Sequence, residues 1–283
     1  MTAASALAAI ALLERETALH PGEVPTHLGG REVLPGRYRI APDEFLLRTD
    51  TGLGFHYRSG AGVTFAQNHD AAPGEIELWH HGSVYAAVAA INGLLPLHAS
   101  AVAHKDRVFA FSGPSGAGKS TLAAGLGRLG LPLFCDDTLL LDLSDPAEVW
   151  CLPGHKRLKL SEQALALTGA SGRETVGAMI DKHYAEPPGG TIDAPLPLAE
   201  LVFLEQGPDC AFRPILGGER IARLNDDHYT AELYAIAQQL DLPARFARFA
   251  QLAPQIAMSV FARPIDPARF DESVAIAAAQ VRR

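Results

Sequence analysis

One segment of the chain has the residue types and spacing that would hold a triphosphate. Gly113 is followed, after four residues, by Gly118-Lys119-Ser120, which matches the Walker A pattern in full. The glycines let backbone N–H groups point at phosphate oxygens, the lysine can reach the β- and γ-phosphates, and the serine hydroxyl can ligate Mg²⁺. ATP is favoured over GTP because the chain has no Asn-Lys-x-Asp guanine-reading motif. The predicted nucleotide contacts are Gly113, Pro114, Ser115, Gly116, Ala117, Gly118, Lys119, Ser120 and Thr121.

The flanking residues predict the elements that such a loop requires. Residues 108–111 form an apolar run typical of a buried strand, and residues 119–129 have helical periodicity that ends at Gly130. A second apolar run, 131–135, predicts the next strand. Strand, loop, helix and strand begin an α/β unit, in which the unpaired N–H groups of the helix face the phosphates. A chance glycine-rich turn would lack this context.

Two adjacent carboxylates, Asp136 and Asp137, follow the second predicted strand. Ligands bind in open α/β sheets at the carboxyl ends of strands, so we expect the pair beside the γ-phosphate. Adjacent side chains at a strand end diverge, and the two acids should therefore have different roles. One would hold Mg²⁺ directly or through water, and the other would accept a proton from an attacking hydroxyl. The alternative is a metal-binding acid followed by a solvated turn aspartate.

Together with an upstream histidine, these motifs resemble a known family. Residues 97–102 (Leu-His-Ala-Ser-Ala-Val), 111–121 and 135–137 (Cys-Asp-Asp) look like the catalytic domain of bacterial HPr kinase/phosphorylase. They are more closely similar to divergent HPr kinase-like proteins, some of which accompany lasso-peptide biosynthesis and phosphorylate the precursor peptide. In that family a histidine precedes the loop at a fixed interval, and His98 lies at that interval before Lys119.

The resemblance implies a role for each of these residues. Asp136 would be the base (or the acid in the reverse reaction), and His98 would be an electrostatic or orienting partner. Lys119 completes the implied catalytic set, and Ser120 and Asp137 would hold the metal. The implied fold is α/β, with a P-loop kinase core of the HPr kinase C-terminal domain type. The small β-rich N-terminal domain that precedes it is predicted from the strand pattern and not from the resemblance. Likeness to the family also suggests a homo-oligomer.

A basic segment departs from the family pattern. Where bifunctional members have an acidic Glu-x-Arg-Gly stretch, this chain has His155, Lys156 and Arg157, followed by Lys159. In an acidic protein such a cluster can attract an anionic substrate, and we predict substrate contacts from His155, Lys156 and Arg157. The alternative is a solvated strand edge protected by lysines. Phosphorolysis is left open, and HPr is not the expected substrate because the N-terminal region differs from the usual regulatory domain.

The composition excludes some classes of protein and some kinds of partner. The chain has 283 residues, of which 48% are hydrophobic, and this is sufficient for a full core. A net charge of −8 and a pI near 5.7 argue against a dedicated nucleic-acid binder. No apolar run approaches the roughly 20 residues that span a bilayer, and the cysteines lack disulfide or metal-ligand spacing. We therefore expect a cytoplasmic protein with neither a membrane nor a nucleic-acid partner.

The chain divides into two predicted domains. Residues 1–95 would form a small β-rich domain with flanking helices, and residues 96–283 would form the P-loop catalytic domain. In the first, short runs separated by turn residues predict a meander of antiparallel strands. The predicted strands, besides those around the loop, are 36–40, 45–48, 54–57, 62–65, 201–204 and 256–261. The other predicted helices are 2–13, 84–92, 227–240, 243–252 and 271–281.

The sequence favours an ATP- and Mg²⁺-dependent kinase that phosphorylates a Ser or Thr hydroxyl in a peptide or small protein. A lasso-peptide precursor is the substrate that the resemblance implies. Two alternatives are a small-molecule kinase with the same machinery and a non-catalytic or slowly hydrolysing nucleotide switch. Lys182, Arg213 and Arg220 are further cationic candidates that no spacing distinguishes. Asp226 and Asp227 are better explained as a helix N-cap than as a metal site.

Overall fold

The structure is a computed structural model that describes residues 4–67, 71, 73–172, 174–177, 180–225 and 228–283. Its α-helices are α1 (Ala4–Glu16), α2 (Pro73–Trp79), α3 (Tyr85–Ile91), α4 (Lys119–Arg128), α5 (Glu162–Thr168), α6 (Gly218–Asn225), α7 (His228–Ala237), α8 (Leu242–Leu252) and α9 (Phe270–Val281). A π-helical turn, His80–Val84, joins α2 to α3, and 3₁₀ turns cover Ala253–Gln255 and Pro267–Arg269. The strands are β1 (Leu19–Pro21), β2 (His27–Leu28), β3 (Arg31–Glu32), β4 (Arg37–Ile40), β5 (Glu44–Arg48), β6 (Leu53–Arg58), β7 (Gly62–Gln67), β8 (Leu95–Leu97), β9 (Ala99–His104), β10 (Arg107–Ser112), β11 (Leu133–Cys135), β12 (Leu139–Asp142), β13 (Trp150–Leu152), β14 (Leu158–Leu160), β15 (Glu174–Gly177), β16 (Ile180–Ala185), β17 (Leu196–Gln206), β18 (Ala211–Pro214) and β19 (Ala257–Arg263). No helix in the described part of the chain has the length and apolar character needed to cross a membrane.

The mixture of helices and sheets confirms the predicted α/β class. The central sheet has strand order β11-β9-β10-β17-β13-β12-β8, and β19 extends it by pairing with β17 and β18. Strands β10, β17 and β19 are parallel, whereas β9 is antiparallel to both β10 and β11. Smaller sheets have the orders β1-β7-β6-β5-β4, β14-β16-β15 and β2-β3. The central sheet is therefore mixed, with the parallel strands β10, β17 and β19 side by side and the antiparallel β9 next to β10.

The antiparallel strand β9 brings three chain segments to one edge of the central sheet. It lies between β10 and β11, so these two strands run in the same direction and end at the same edge. Ala99 at the start of β9 is opposite Ser112 at the end of β10, and Cys135 at the end of β11 is opposite Ala101. Strands β17 and β19 run parallel to β10 and also end there. The loop after β10 therefore lies at the same edge of the sheet as the residue before β9 and the residues after β11.

Most of the predicted elements lie where the sequence placed them. The N-terminal meander is formed by β4 to β7, and β1 joins it parallel to β7. The last three predicted helices correspond to α7, α8 and α9, and residues 201–204 form the middle of β17. The elements that the patterns missed, β9, β14, α5 and α6 among them, are eight residues long or shorter. Asp226 and Asp227, the predicted N-cap, lie outside the described residues.

The main hydrophobic cluster contains residues from both sides of the predicted boundary between residues 95 and 96. Phe45, Phe55 and Val88 are buried in it from the N-terminal side. Leu140 and Leu201 are buried in the same cluster from the C-terminal side. The division into two domains stays a prediction, and the two parts of the chain share buried apolar contacts.

The helix that follows the predicted phosphate loop is held close to α9. Gly125 in α4 faces Val274 and Phe270, and a Cβ atom at Gly125 would lie 2.5 Å from Val274 Cγ2. Leu122 and Leu126 of α4 are buried in the second hydrophobic cluster, to which α9 also contributes. This close packing fixes the axis of α4 and hence the direction of the N–H groups in its first turn.

Candidate active site

The loop 113–118 joins β10 directly to α4, which begins at Lys119 as predicted. Gly116 and Gly118 have φ angles of 84° and 81°, a left-handed conformation that favours glycine. The side chain of Lys119 lies along the loop, where its Nζ donates a hydrogen bond of 2.8 Å to the Gly113 carbonyl. A glycine-rich backbone, a lysine and a helix N-terminus therefore meet at the edge where β10 ends.

Arg263, at the end of β19, supports this loop and was not predicted from the sequence. Its Nη2 donates a hydrogen bond of 2.6 Å to the Ala117 carbonyl, and the side chain is buried. Burial lowers the pKa of Arg263. A Cβ atom at Gly118 would lie 2.5 Å from Arg263 Nη2, so the loop and the arginine fit only because residue 118 is glycine. Arg263 thereby supports the loop from β19, which is separated from β10 by β17.

A pocket of about 720 Å³ lies between the loop and the ends of β17 and β19. Its walls include Phe203, Glu205, Arg223 and Ile265 as well as loop residues. Arg223 forms an ion pair with Glu205 and lies over the ring of Phe203. The pocket combines an apolar floor with charged groups and adjoins the loop on the side away from β11.

Asp136 is fully buried immediately after β11, and hydrogen-bond donors contact both of its carboxylate oxygens. Ser100 Oγ in β9 donates to Oδ1 at 2.5 Å, and the backbone N–H of Lys159 donates to Oδ2 at 3.1 Å. The backbone N–H of Asp136 in turn donates to the His155 carbonyl at 3.0 Å. Because a buried carboxylate is costly unless it is hydrogen-bonded, these contacts explain how Asp136 is accommodated. They tie β9, β11 and β14 together.

The Asp137 side chain is partly exposed, and cationic or titratable groups lie close to its carboxylate on several sides. Lys159 Nζ lies 2.7 Å from Oδ2, and His98 Nδ1 lies 3.5 Å from Oδ1 and 3.0 Å from the Asp137 carbonyl. Burial acts to raise the pKa of Asp137, but the nearby cationic groups, Lys159 first, outweigh it and the pKa is lowered. Lys119 contributes to this lowering, so the loop lysine acts electrostatically on Asp137. The carboxylate is therefore ionised beside the loop.

The backbone around Asp137 is shaped for close approach of another segment. Asp137 has a φ of 72°, a left-handed conformation that aspartate and asparagine tolerate better than most side chains. The π-helical turn packs against it, and a Cβ atom at Gly82 would lie 3.3 Å from Asp137 Oδ2. Gly82 has non-helical backbone angles (φ −98°, ψ −105°), so the turn is kinked where it meets Asp137. The sequence offered no sign of this contact, because residues 82 and 137 are joined only by the tertiary fold.

The basic segment is engaged in contacts within the protein. Lys156 Nζ donates to the carbonyls of Phe134 and Ile192, and burial lowers its pKa. Arg157 pairs with Glu77 at 2.7 Å and with Glu174. The predicted contact of these cations with a substrate stays a prediction. Lys159, two residues further on, is instead the cation that lies at Asp137.

The structure therefore brings together His98, Asp136, Asp137 and Lys119 at one sheet edge, with Ser120 and Thr121 in the first turn of α4. The remaining cationic candidates lie elsewhere. Arg213 pairs with Glu219 at 2.8 Å, Arg220 donates to the Ile256 carbonyl, and Lys182 is in β16. Besides Arg263, the positions of the polar residues Lys159 and Ser100 in the site were not predicted. A lysine between two leucines, as in Leu158-Lys159-Leu160, was the available signal of a buried cation.

We expect Lys159→Met to destabilise the protein in a pH-dependent manner. The wild-type pKa of Asp137 is lowered on folding, so the ion pair stabilises the protein above the usual aspartate pKa and this stabilisation is lost as pH falls through the lowered value. The free energy of unfolding near neutral pH should fall by about 1–3 kcal/mol, as for loss of a hydrogen bond to a charged group. Denaturant titrations at several pH values measure this.

Lys159→Arg is the matched control for this prediction, because it keeps the positive charge beside Asp137. Its stability should retain most of the wild-type pH dependence. In Lys159→Met the difference from wild type should shrink as the pH falls through the lowered pKa of Asp137, because the carboxylate then becomes protonated. A destabilisation that is equal at all pH values would show that Lys159 contributes through packing and not through its charge.

Comparison with known proteins finds similarity among solved structures. No protein-family model matches the chain, and no curated protein matches its sequence. Among solved structures, the chain is similar to the Hpr(Ser) kinase/phosphatase from Coxiella burnetii, with 12% sequence identity and a TM-score of 0.34. The similarity covers 66% of this chain and 99% of that chain. At this identity and TM-score, function has to be inferred from the geometry of the site itself.

Proposed function

We propose that this chain is an ATP- and Mg²⁺-dependent kinase that transfers a phosphoryl group to a hydroxyl. The observation that carries the proposal is the ionised Asp137 carboxylate beside a glycine-rich loop, with Lys119 acting electrostatically on it. A site that only bound nucleotide would need the loop and the lysine. It would use a carboxylate only to hold the metal, whereas transfer to a hydroxyl also needs a proton acceptor, the role that we give to Asp137 between Lys159 and His98.

The order of the strands suggests how ATP would lie. The pocket beside β17 and β19 is on one side of the loop, and Asp137 after β11 is on the other. The base and ribose would occupy the pocket, where Phe203 and Ile265 offer apolar surface. The triphosphate would follow the loop N–H groups and the start of α4, which favour anions. The γ-phosphate would then face Asp137 and the acceptor.

Ser120 and Asp137 fit the chemistry of a magnesium site. Mg²⁺ prefers oxygen ligands and is commonly bound by one or two protein groups together with substrate phosphates. Ser120 offers a hydroxyl in the first turn of α4, and Asp137 offers an ionised, partly exposed carboxylate. When bound, Mg²⁺ would neutralise negative charge on the triphosphate.

We assign proton acceptance to Asp137, whereas the family resemblance assigned it to Asp136. Asp136 is fully buried and both of its oxygens accept hydrogen bonds, so an acceptor hydroxyl has no access to it. In the proposed reaction the acceptor oxygen forms a bond to the γ-phosphorus and the bond to the β-phosphate oxygen breaks. The hydroxyl proton passes to Asp137, and ADP leaves. Asp136 positions β11 and the Lys159 backbone, and His98 holds Asp137.

The acceptor class that we propose is a Ser or Thr hydroxyl in a peptide or small protein, with a lasso-type precursor as the first candidate. The sequence resemblance supports this choice. The test is to incubate the protein with ATP, Mg²⁺ and panels of such peptides and of small hydroxylated metabolites, and to measure intact masses. Transfer to a peptide is expected. Transfer to a metabolite alone would favour the small-molecule kinase, and tight ATP binding without transfer to any acceptor would favour a nucleotide switch.

A further inference from the structure

Glu77, His81 and His155 form a cluster outside the phosphoryl-transfer site. Each offers one ligand atom, and these atoms all lie within 4.8 Å of one another. Glu77 is in α2, His81 is four residues later in the π-helical turn, and His155 precedes β14. The two imidazole rings are stacked with centroids 4.3 Å apart. Two histidines and a glutamate are a ligand set that Zn²⁺ uses in proteins.

The ring nitrogens that face this cluster are shielded from water and not hydrogen-bonded. Among the described residues, His81 Nδ1 and His155 Nε2 have no hydrogen-bond partner. Glu77 Oε1 lies 3.3 Å from His155 Nε2 and 3.9 Å from His81 Nδ1, without the direction that a hydrogen bond requires. Buried polar atoms of this kind are rare in native proteins unless water or an ion satisfies them.

The protonation of the two rings suits metal binding. Burial lowers the pKa of His81 to about 3, assisted by the neighbouring His155. Burial likewise lowers the pKa of His155 to about 4. Both imidazoles are therefore neutral near pH 7, which is the form that donates a lone pair to a metal. Two neutral rings also avoid mutual repulsion at this short separation.

The surrounding charges are compatible with a cation. Arg157 contacts Glu77 through the other carboxylate oxygen, Oε2, at 2.7 Å, which leaves Oε1 facing the histidines. A partner that orients a ligand in this way is typical of protein metal sites. The two cations that act on the histidines are also paired with carboxylates outside the cluster, Arg157 with Glu174 and Lys159 with Asp137. Carboxylates thus compensate both positive charges.

We propose that Glu77, His81 and His155 bind a divalent transition-metal ion of the Zn²⁺ class, with a coordination position left for water. The site would fasten the π-helical turn to the chain before β14. That chain segment contacts the transfer site, because the His155 carbonyl accepts a hydrogen bond from the Asp136 backbone. The π-helical turn also contacts the transfer site, because Gly82 packs against Asp137. The metal would therefore fix the wall of the transfer site and take no part in the reaction.

The test uses the full chain, stripped with a chelator and dialysed against Co²⁺ in the presence of excess Mg²⁺, which occupies oxygen-ligand sites. About one Co²⁺ per chain, with the visible d–d absorption of a four-coordinate nitrogen- and oxygen-ligated ion, is the expected result. His81→Ala and His155→Ala should each weaken Co²⁺ binding roughly 100-fold, the upper end of the losses that outer-shell changes cause. His27→Ala, which changes an exposed histidine in β2, should bind Co²⁺ as the wild type does.

Two outcomes would overturn the proposal. One is the absence of stoichiometric Co²⁺ binding by the wild-type chain, and this outcome does not depend on whether any variant folds. The other is unchanged binding by both histidine variants, which would place the ion elsewhere. Thermal unfolding with and without Zn²⁺ adds an independent measurement: Zn²⁺ should raise the Tm of the wild type and of His27→Ala, and leave that of His81→Ala unchanged. Each readout is independent of kinase activity.

Discussion

Replacing Lys119 by methionine is expected to lower the rate of phosphoryl transfer by about 10²–10³-fold, the loss typical of removing one preorganised electrostatic group. The Lys119 ammonium group lies within the loop, 2.8 Å from the Gly113 carbonyl, and is nearly buried. Methionine preserves the length and apolar stem of the side chain, so the loss isolates the charge. The phosphates of the nucleotide would still accept hydrogen bonds from the backbone N–H groups of the loop.

Single-turnover transfer from labelled ATP measures this effect, and ATP affinity is measured separately. Arg107→Met is a matched control, because Arg107 is an exposed cation at the opposite end of the same strand, β10. Its rate should equal that of the wild type. If Lys119→Met also keeps the wild-type rate, the triphosphate does not bind in this loop.

Asp137→Asn is expected to lower the rate of transfer by about 10²–10⁴-fold, the range for loss of a general base. Asparagine tolerates the left-handed backbone of residue 137 and nearly preserves the shape of aspartate. The variant should therefore fold, and its affinity for ATP in Mg²⁺ should fall less than its rate of transfer, because Ser120 and the phosphates remain as Mg²⁺ ligands. An equal loss in that affinity would instead assign the carboxylate mainly to the metal.

Asp136→Asn is the comparison that separates the two aspartates. Its side chain is buried, and an amide nitrogen would face either the Ser100 hydroxyl or the Lys159 N–H in place of an acceptor oxygen. Stability should fall by about 1–3 kcal/mol, as for a buried donor left without an acceptor. We expect the folded fraction to retain transfer. If Asp136→Asn loses transfer at wild-type stability while Asp137→Asn keeps it, Asp136 is the base, as the resemblance implied.

The loop and its neighbouring elements could be predicted because their signals are local. The glycines, Lys119 and Ser120 are contiguous, and the apolar runs around them need no knowledge of distant contacts. The strand after α4 also lies at the predicted position. What the sequence could not predict was the antiparallel β9 between β10 and β11, which is only six residues long.

The partners of the predicted acids could not be predicted, because each lies far away in the chain. Ser100 contacts Asp136 although the two are 36 residues apart in the sequence, and Lys159 contacts Asp137 at a separation of 22 residues. Arg263 reaches the loop from 146 residues away. The flanking leucines indicated that Lys159 would be buried, but they did not indicate which acid it contacts. Its position follows from the pairing of β14 with β16 and from the approach of β14 to Asp136.

The contact of Gly82 with Asp137 limits how this gene could be recombined. Gly82 is encoded before residue 96 and Asp137 after it, so a crossover at the predicted boundary would separate two residues that fit each other. Any larger residue inherited at position 82 would place its Cβ atom 3.3 Å from Asp137 Oδ2 and force the carboxylate to move. A chimera could then fold both parts and still lack a functional carboxylate. Exchange of the N-terminal part should succeed only between parents that both have glycine at this position.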